Sequence, residues 1–319
     1  MKMKNFQEHE KMVSVIMPCY NDGPYIGEAI DSLRKQTWTN IELIIIDDGS
    51  DDGETVQIIE REPFPTKRVL RTKHIGPAAA RNRGIAEAKG DFILPLDADD
   101  KIDSTYILKA MNVMLSNSNV GIVYCRADMF GEASGSWDLP EYSLRAELLD
   151  NCIFVTALFR RTDWSRVGGF CEEFRVGMED YDFWLSLLEM GREVYQLPET
   201  LFHYRIKPVS RTTKFQQNYV DIQKTYEMLF QRHRELYKKN MDIYCLELRK
   251  QLIDHLMQNR QLKEKNNLLS KEQESWESMK SDPLVEYAIS IRCLKPRLGA
   301  YLTKLLQIKN KAKRILGRK

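Results

Sequence analysis

Two short, mostly apolar runs, residues 41–46 and 92–96, each end in carboxylates: Asp47-Asp48 after the first and Asp97-Ala98-Asp99-Asp100 after the second. An acid inside a buried strand is costly unless paired, whereas one at a strand's carboxyl end faces the crevice where open α/β sheets hold their ligands. The chain must then alternate helices and strands around these two runs, and it does. Residues 13–17 read as a strand, a turn cluster follows at 18–24, and Ile26, Ile30 and Leu33 mark a helix. Strand 41–46 leads to a loop at Asp51-Asp52-Gly53, a helix through Val56 and Ile59, and a strand at Val69-Leu70. Gly76-Pro77 precedes helix 78–88, which Gly90 stops ahead of strand 92–96. Helix 105–115, strand 122–125, an irregular polar stretch to Glu141, helix 142–149, strand 153–159, helix 180–190 and an alternating strand at 201–206 follow. The order predicts an α/β fold with a largely parallel sheet.

Beyond residue 208 the composition turns long-helical, which sets expected boundaries of 1–213 for the α/β domain, 214–285 for a helical extension and 286–319 for a basic amphipathic segment. Within the extension one heptad register aligns Leu248, His255, Leu262, Leu269 and Trp276 at one core position, with Leu252, Asn259, Asn266 and Gln273 at the other. That pattern suits either a coiled coil in a homo-oligomer or a helix packed on its own domain. The net charge is only +2, yet residues 290–319 hold ten basic residues and no acid, so the remainder is acidic. Leu298, Leu302, Leu305, Ile308, Ala312, Ile315 and Leu316 fall at helical spacing among the tail's lysines and arginines. A helix of that kind suits an anionic membrane surface, or a solvated or oligomer-packed face. Basic residues confined to one tail, without interleaved aromatics, argue against a nucleic-acid partner. Six cysteines without close pairing or zinc spacing imply a reducing compartment; with no apolar stretch long enough to span a bilayer and no signal-peptide core, the expected location is cytoplasmic, peripheral at the inner face of the plasma membrane.

Four strings carry a resemblance: Val13-Ser14-Val15-Ile16-Met17-Pro18-Cys19-Tyr20-Asn21, Ile46-Asp47-Asp48-Gly49-Ser50, Ala80-Arg81-Asn82-Arg83-Gly84 and Leu96-Asp97-Ala98-Asp99-Asp100. With Gly168-Gly169-Phe170, Glu179-Asp180-Tyr181-Asp182-Phe183-Trp184 and Tyr204-Arg205, over residues 12–213, the chain resembles family 2 glycosyltransferases. The resemblance implies a GT-A fold, a Rossmann-like mixed sheet with helices on both faces, followed here by the helical extension. It also implies a nucleotide-diphosphate sugar donor, Mn²⁺ or Mg²⁺, and inversion at the anomeric carbon. The implied acceptor is a hydroxyl of a glycan, free or polyprenyl-diphosphate-linked, in bacterial polysaccharide synthesis.

Alternate residues of an extended chain share a face, so both carboxylates of Asp97-Ala98-Asp99 can meet one ribose, diphosphate and metal. The resemblance assigns the metal to Asp99, with Asp97 on the ribose or the metal's waters and Asp100 as a cap or support. It gives Tyr20 and Asp48 the base, as a stacked ring and a carboxylate accepting from a ring N–H such as uracil offers, with Pro18 and Asn21 beside them. Asp47 and Gly49 read as a turn. Arg81 reaches the donor's phosphates or ribose, or else pairs with Asp48. His74 stands where the family usually has Asn.

Inverting displacement needs a carboxylate to take the acceptor's proton, and that role falls to Asp180, with Glu179 positioning acceptor or base. Asp182 reads as an acid at a helix N-terminus. Arg205 and Lys207 are expected at the diphosphate, Lys207-Pro208 occupying the region where many relatives carry a histidine. His203 is a further metal candidate, packed in its strand on the alternative reading. Gly169 and Trp184 are candidate sugar or acceptor contacts, the tryptophan otherwise core. The chain has no G-x-G-x-x-G, no G-x-x-x-x-G-K and no Gln-x-x-Arg-Trp, which turns the reading away from dehydrogenases, P-loop enzymes and processive synthases. The competing class is a non-catalytic nucleotide-sugar-binding scaffold of a polysaccharide-assembly complex.

Overall fold

The structure, a computed structural model, describes residues 11–208 and 210–280. The expected basic segment 286–319 lies outside the described residues. Among the described residues nine strands form one mixed sheet: β1 (Val13–Cys19), β2 (Ile41–Asp47), β3 (Lys67–Arg71), β4 (Phe92–Pro95), β5 (Lys101–Ile102), β6 (Val120–Gly131), β7 (Gly135–Trp137), β8 (Leu158–Arg160) and β9 (Glu193–Ile206). The order is β3-β2-β1-β4-β8-β6-β9-β5, with β7 paired to β6. The first four positions are parallel, whereas β8 runs antiparallel to both β4 and β6. Strands β1, β2 and β4 therefore deliver their carboxyl ends, and the acids that follow, to one edge.

The helices are α1 (Gly23–Arg34), α2 (Thr55–Arg61), α3 (Pro77–Ala86), α4 (Tyr106–Ser116), α5 (Leu144–Glu147), α6 (Arg161–Val167), α7 (Glu179–Glu189), α8 (Arg211–Gln217), α9 (Tyr219–Arg232), α10 (Arg234–Lys239) and α11 (Met241–Lys280). Prolines at the first turns of α1 and α3 fix the starting φ where no intrahelical N–H bond is lost. Helix α3 lies close on β1 and β2 because Gly84 has no side chain; a Cβ there would stand 2.6 Å from Ile46 Cδ1 and 2.8 Å from Ile16 Cγ2. Glu42, an acid inside β2, is buried and accepts from the Ser14 hydroxyl and the N–H groups of Lys89 and Gly90.

The described residues divide into two units between Glu247 and Leu248. The expected domain boundary at Thr213 falls inside the first. A second apolar cluster explains why: Leu229 of α9 and Leu236 and Tyr237 of α10 pack with Leu148, Phe174, Tyr181 and Leu185. Asp182 lies in the first turn of α7, as expected, and is also buried against Arg232 (2.6 Å) and His233 (3.0 Å), which tie α9 and α10 to α7. In the second unit, residues 248–280 continue α11, with Leu248, Leu252, Leu256, Leu262 and Leu269 exposed. Among the described residues no helix is long and apolar enough to cross a membrane.

Candidate active site

The loop after β1 and the loop after β2 are knitted together. Asn21, at φ 58°, donates to Asp51 Oδ1 at 2.7 Å and accepts from the N–H groups of Asp51 and Asp52. Tyr20 stands at the lip, 38 % exposed, its ring centroid 4.2 Å from that of His74. Pro18 is half-buried near the end of β1. Asp47 accepts from the Ser50 N–H, the turn contact its position suggests. Asp48 is buried and accepts from the Thr72 hydroxyl (2.6 Å) and the N–H groups of Ile75 (2.7 Å) and Gly76 (2.8 Å). A carboxylate offers about four lone-pair sites, so the loop takes most of Asp48 and leaves room for one further donor.

Arg81 does not pair with Asp48. It is 1 % exposed and bridges two other acids, donating to Asp97 Oδ1 at 2.7 Å and to Glu179 Oε1 at 2.8 Å. Arg211 of α8 donates to the same Glu179 oxygen at 2.6 Å. Two guanidiniums hold Glu179 down at about 2, against the burial that would raise it. Its neighbour Asp180 has no such partner: burial and the Glu179 charge push it up to about 6, with Arg81 pulling the other way. The only hydrogen bond to its side chain among the described residues comes from the Tyr181 N–H. Helix α7 thus opens on two adjacent acids whose proton affinities are driven apart, the pattern by which one site obtains a spectator and a base.

The turn at 97–100 is held from β9. Asp100 is buried and accepts from the Arg205 N–H at 2.8 Å, and Arg205 Nε donates to the Asp99 carbonyl at 2.8 Å. The Arg205 guanidinium lies over the Phe130 and Tyr25 rings and 2.9 Å from Glu28, so it braces the turn that carries Asp99. Ala98 is fully buried beneath the turn. Asp99 itself meets Lys207, whose Nζ lies 2.6 Å from Asp99 Oδ2 and 2.8 Å from Asp22 Oδ1. Burial and the charges of Asp97 and Asp22 raise Asp99 above an ordinary aspartate, with Lys207 opposing.

Three expected contacts resolve differently. His203 is paired to Asp128 at 2.6 Å across β6 and β9, and among the described residues no group of three or more His, Cys, Asp or Glu side chains is arranged to hold a metal. Trp184 is fully buried, donating to the Ile153 carbonyl at 2.9 Å, which makes it core rather than a sugar contact. Gly169 serves packing: at φ 84° its missing Cβ would lie 2.6 Å from Asn82 Oδ1. Asn82 clamps that turn by accepting from Trp164 Nε1 and the Phe170 N–H and donating to the Phe170 carbonyl. The sequence does not single out Asp22, Glu28 or Arg211, because Asp22 sits in the turn cluster, Glu28 on the polar face of a helix and Arg211 where the composition turns long-helical.

The glycosyl transferase family 2 model matches residues 14–176. The chain belongs to this family. The match takes in the crevice acids of β2 and β4 and ends just before Glu179 and Asp180. An uncharacterized glycosyltransferase, YibD of Escherichia coli, is 36 % identical over 160 residues, covering 49 % of this chain and 43 % of its own. The Escherichia coli UDP-Glc:alpha-D-GlcNAc-diphosphoundecaprenol beta-1,3-glucosyltransferase WfgD is 33 % identical over 180 residues, covering 56 % of this chain and 70 % of its own. The chain thus spans less than half of YibD. Among solved structures, S. aureus TarS 1–349 in complex with UDP-GlcNAc superposes with a TM-score of 0.54 at 23 % identity, covering 63 % of this chain and 60 % of that one. This likeness shows the GT-A fold, which in this chain is followed by a helical C-terminal region.

Proposed function

We propose that the chain is an inverting, divalent-metal-dependent glycosyltransferase that moves one sugar from a UDP-sugar to a hydroxyl of a lipid-linked glycan. The observation that carries the reading is the split between Glu179, held ionised by two arginines, and Asp180, raised to about 6 beside it. A base with that affinity is largely ionised at neutral pH yet still able to take a proton. In the step, Asp180 removes the acceptor hydroxyl's proton as that oxygen bonds to the anomeric carbon. The bond from that carbon to the diphosphate oxygen breaks, and UDP leaves with the electron pair. Tyr20, Asp48 and Asn21 line the base and ribose end; Arg81 fixes Asp97 and Glu179 relative to one another.

The donor set suits a metal that arrives with its ligand. Mg²⁺ and Mn²⁺ favour oxygen donors, and Mg²⁺ is commonly held by one or two carboxylates with substrate phosphates and water completing the shell. Asp99, with Asp97, would hold it, and it would supply positive charge to the departing diphosphate. The UDP donor and lipid-linked acceptor draw support from TarS in complex with UDP-GlcNAc and from WfgD, a UDP-Glc:alpha-D-GlcNAc-diphosphoundecaprenol glucosyltransferase. An acceptor of that kind puts the enzyme at the inner face of the membrane, with residues 286–319 as the contact.

The test is donor turnover across UDP-, GDP- and dTDP-sugars with Mn²⁺ or EDTA, using wild type, Asp99→Ala and Asp180→Asn. The expected result is metal-dependent turnover of a UDP-sugar, lost in both variants while Asp180→Asn still binds UDP. Turnover that persists in Asp180→Asn refutes the assignment of the base.

A further inference from the structure

Lys207 follows the last residue of β9 and lies between two carboxylates from distant parts of the chain, 2.8 Å from Asp22 Oδ1 and 2.6 Å from Asp99 Oδ2. Asp22 closes the loop before α1 and Asp99 follows β4, so the ammonium joins the two walls of the crevice. Asp97 and Asp22 add negative charge beside Asp99. A half-buried carboxylate in such company needs a counter-charge, and among the described residues the Lys207 ammonium is the group in contact with its oxygen. A divalent ion on Asp99 would stand against that ammonium, two cations sharing one carboxylate.

We propose that Lys207 is the resident counter-ion of Asp99 and competes with the divalent metal, giving Asp99 up when a nucleoside diphosphate arrives to take the ammonium. This rests on the metal-dependent transferase reading above. An ammonium on a four-carbon stem is free to move between a carboxylate and a phosphate oxygen, because it pairs as a point charge without a fixed fork. The consequence is coupling: nucleotide relieves the competition for Asp99, so metal and nucleotide each strengthen the other's binding by the same factor.

The experiment is titration of the full chain with Mn²⁺, by calorimetry or by the electron-spin signal of free Mn²⁺, alone and with saturating UDP. The proteins are wild type, Lys207→Met, Lys207→Gln and Lys207→Arg, each checked for native circular dichroism. Wild type is expected to bind Mn²⁺ more tightly with UDP than without, by about 5–150-fold. The Met and Gln variants are expected to bind Mn²⁺ alone more tightly than wild type, with a smaller gain from UDP, while Lys207→Arg keeps the competition. Folded Met and Gln variants that bind Mn²⁺ no tighter than wild type, while UDP still enhances binding in all, overturn the competition but leave the transferase reading intact. Absence of Mn²⁺ binding in every protein even with UDP overturns the metal assignment itself, and this inference with it.

Discussion

Asp180→Asn should stabilise the protein while disabling it. The Asp180 carboxyl is raised from the ordinary 3.8 to about 6 by burial and by Glu179. A tenfold change in proton affinity corresponds to about 1.4 kcal/mol, so ionising Asp180 in the folded state costs about 3 kcal/mol more than in the unfolded chain. The side chain is only partly covered, and water screens some of this, which leaves an expected net cost of about 1–2 kcal/mol. The sign follows from proton counts. Below about pH 4 both states hold the proton and the group contributes nothing. Between about 4 and 6 the unfolded chain releases its proton first, so the native state binds more protons and stability falls as pH rises. Asp180→Asn has the same shape without the charge. Urea unfolding at about pH 7 should therefore show the variant more stable by about 1–2 kcal/mol, the gap closing near pH 4. Turnover should fall by about 10²–10⁴, the usual worth of a general base, with UDP affinity kept. A variant that is no more stable than wild type at neutral pH, or that is equally active, refutes the reasoning.

Wild-type turnover should rise with pH through about 6 as Asp180 ionises, and Arg81→Leu should move that limb upward, since Arg81 opposes the rise; a pH–rate profile reads both. The same variant strands Asp97 and half-frees Glu179, at a cost of about 3–5 kcal/mol in denaturant unfolding that Arg81→Lys does not recover, because Arg81 meets the two acids through separate nitrogens of a rigid fork that a lysine lacks. Gly169→Ala should lower the melting temperature, at about 1–3 kcal/mol, by straining φ and displacing Asn82; an unchanged melt would remove the packing role. Ending the chain after residue 213 should give aggregated protein by size-exclusion chromatography, because Tyr181 and Leu185 lose the cover of α9 and α10, whereas ending it after 247 should give a monodisperse protein that still turns over donor.

The strands that build the crevice were legible because each is a short apolar run bounded by turn residues, and tertiary packing had nothing to override. Residues 153–159 read equally well as a strand, yet only Leu158–Arg160 pairs. The Ile153 and Thr156 carbonyls are instead satisfied by Trp184 Nε1 and the Tyr106 hydroxyl, so the apolar segment stays buried without a ladder. The stretch after residue 125 read as irregular because its polar residues hide the pattern, but β6 continues to Gly131 through its pairing with β9 and β7. Length and polarity mark strand ends poorly where one edge faces solvent.

Positions of the site acids were legible; their partners were not, because pairing is tertiary. Nothing local tells Arg81 to choose Glu179, 98 residues away, over Asp48. The choice has a chemical result. Both Arg81 and Arg211 fall on Glu179 Oε1, so the cationic charge near the start of α7 is taken by one acid and the other is left to be raised by it. Had either arginine paired with Asp180, that carboxylate would be a weaker base, fixed in an ion pair. Arg211 lies just past residue 208, where the composition turns long-helical, and beyond the residues the family model matches. The tuning of the proposed base therefore depends on α8, and the functional unit, like the folded one, extends past the point where the sequence changes character.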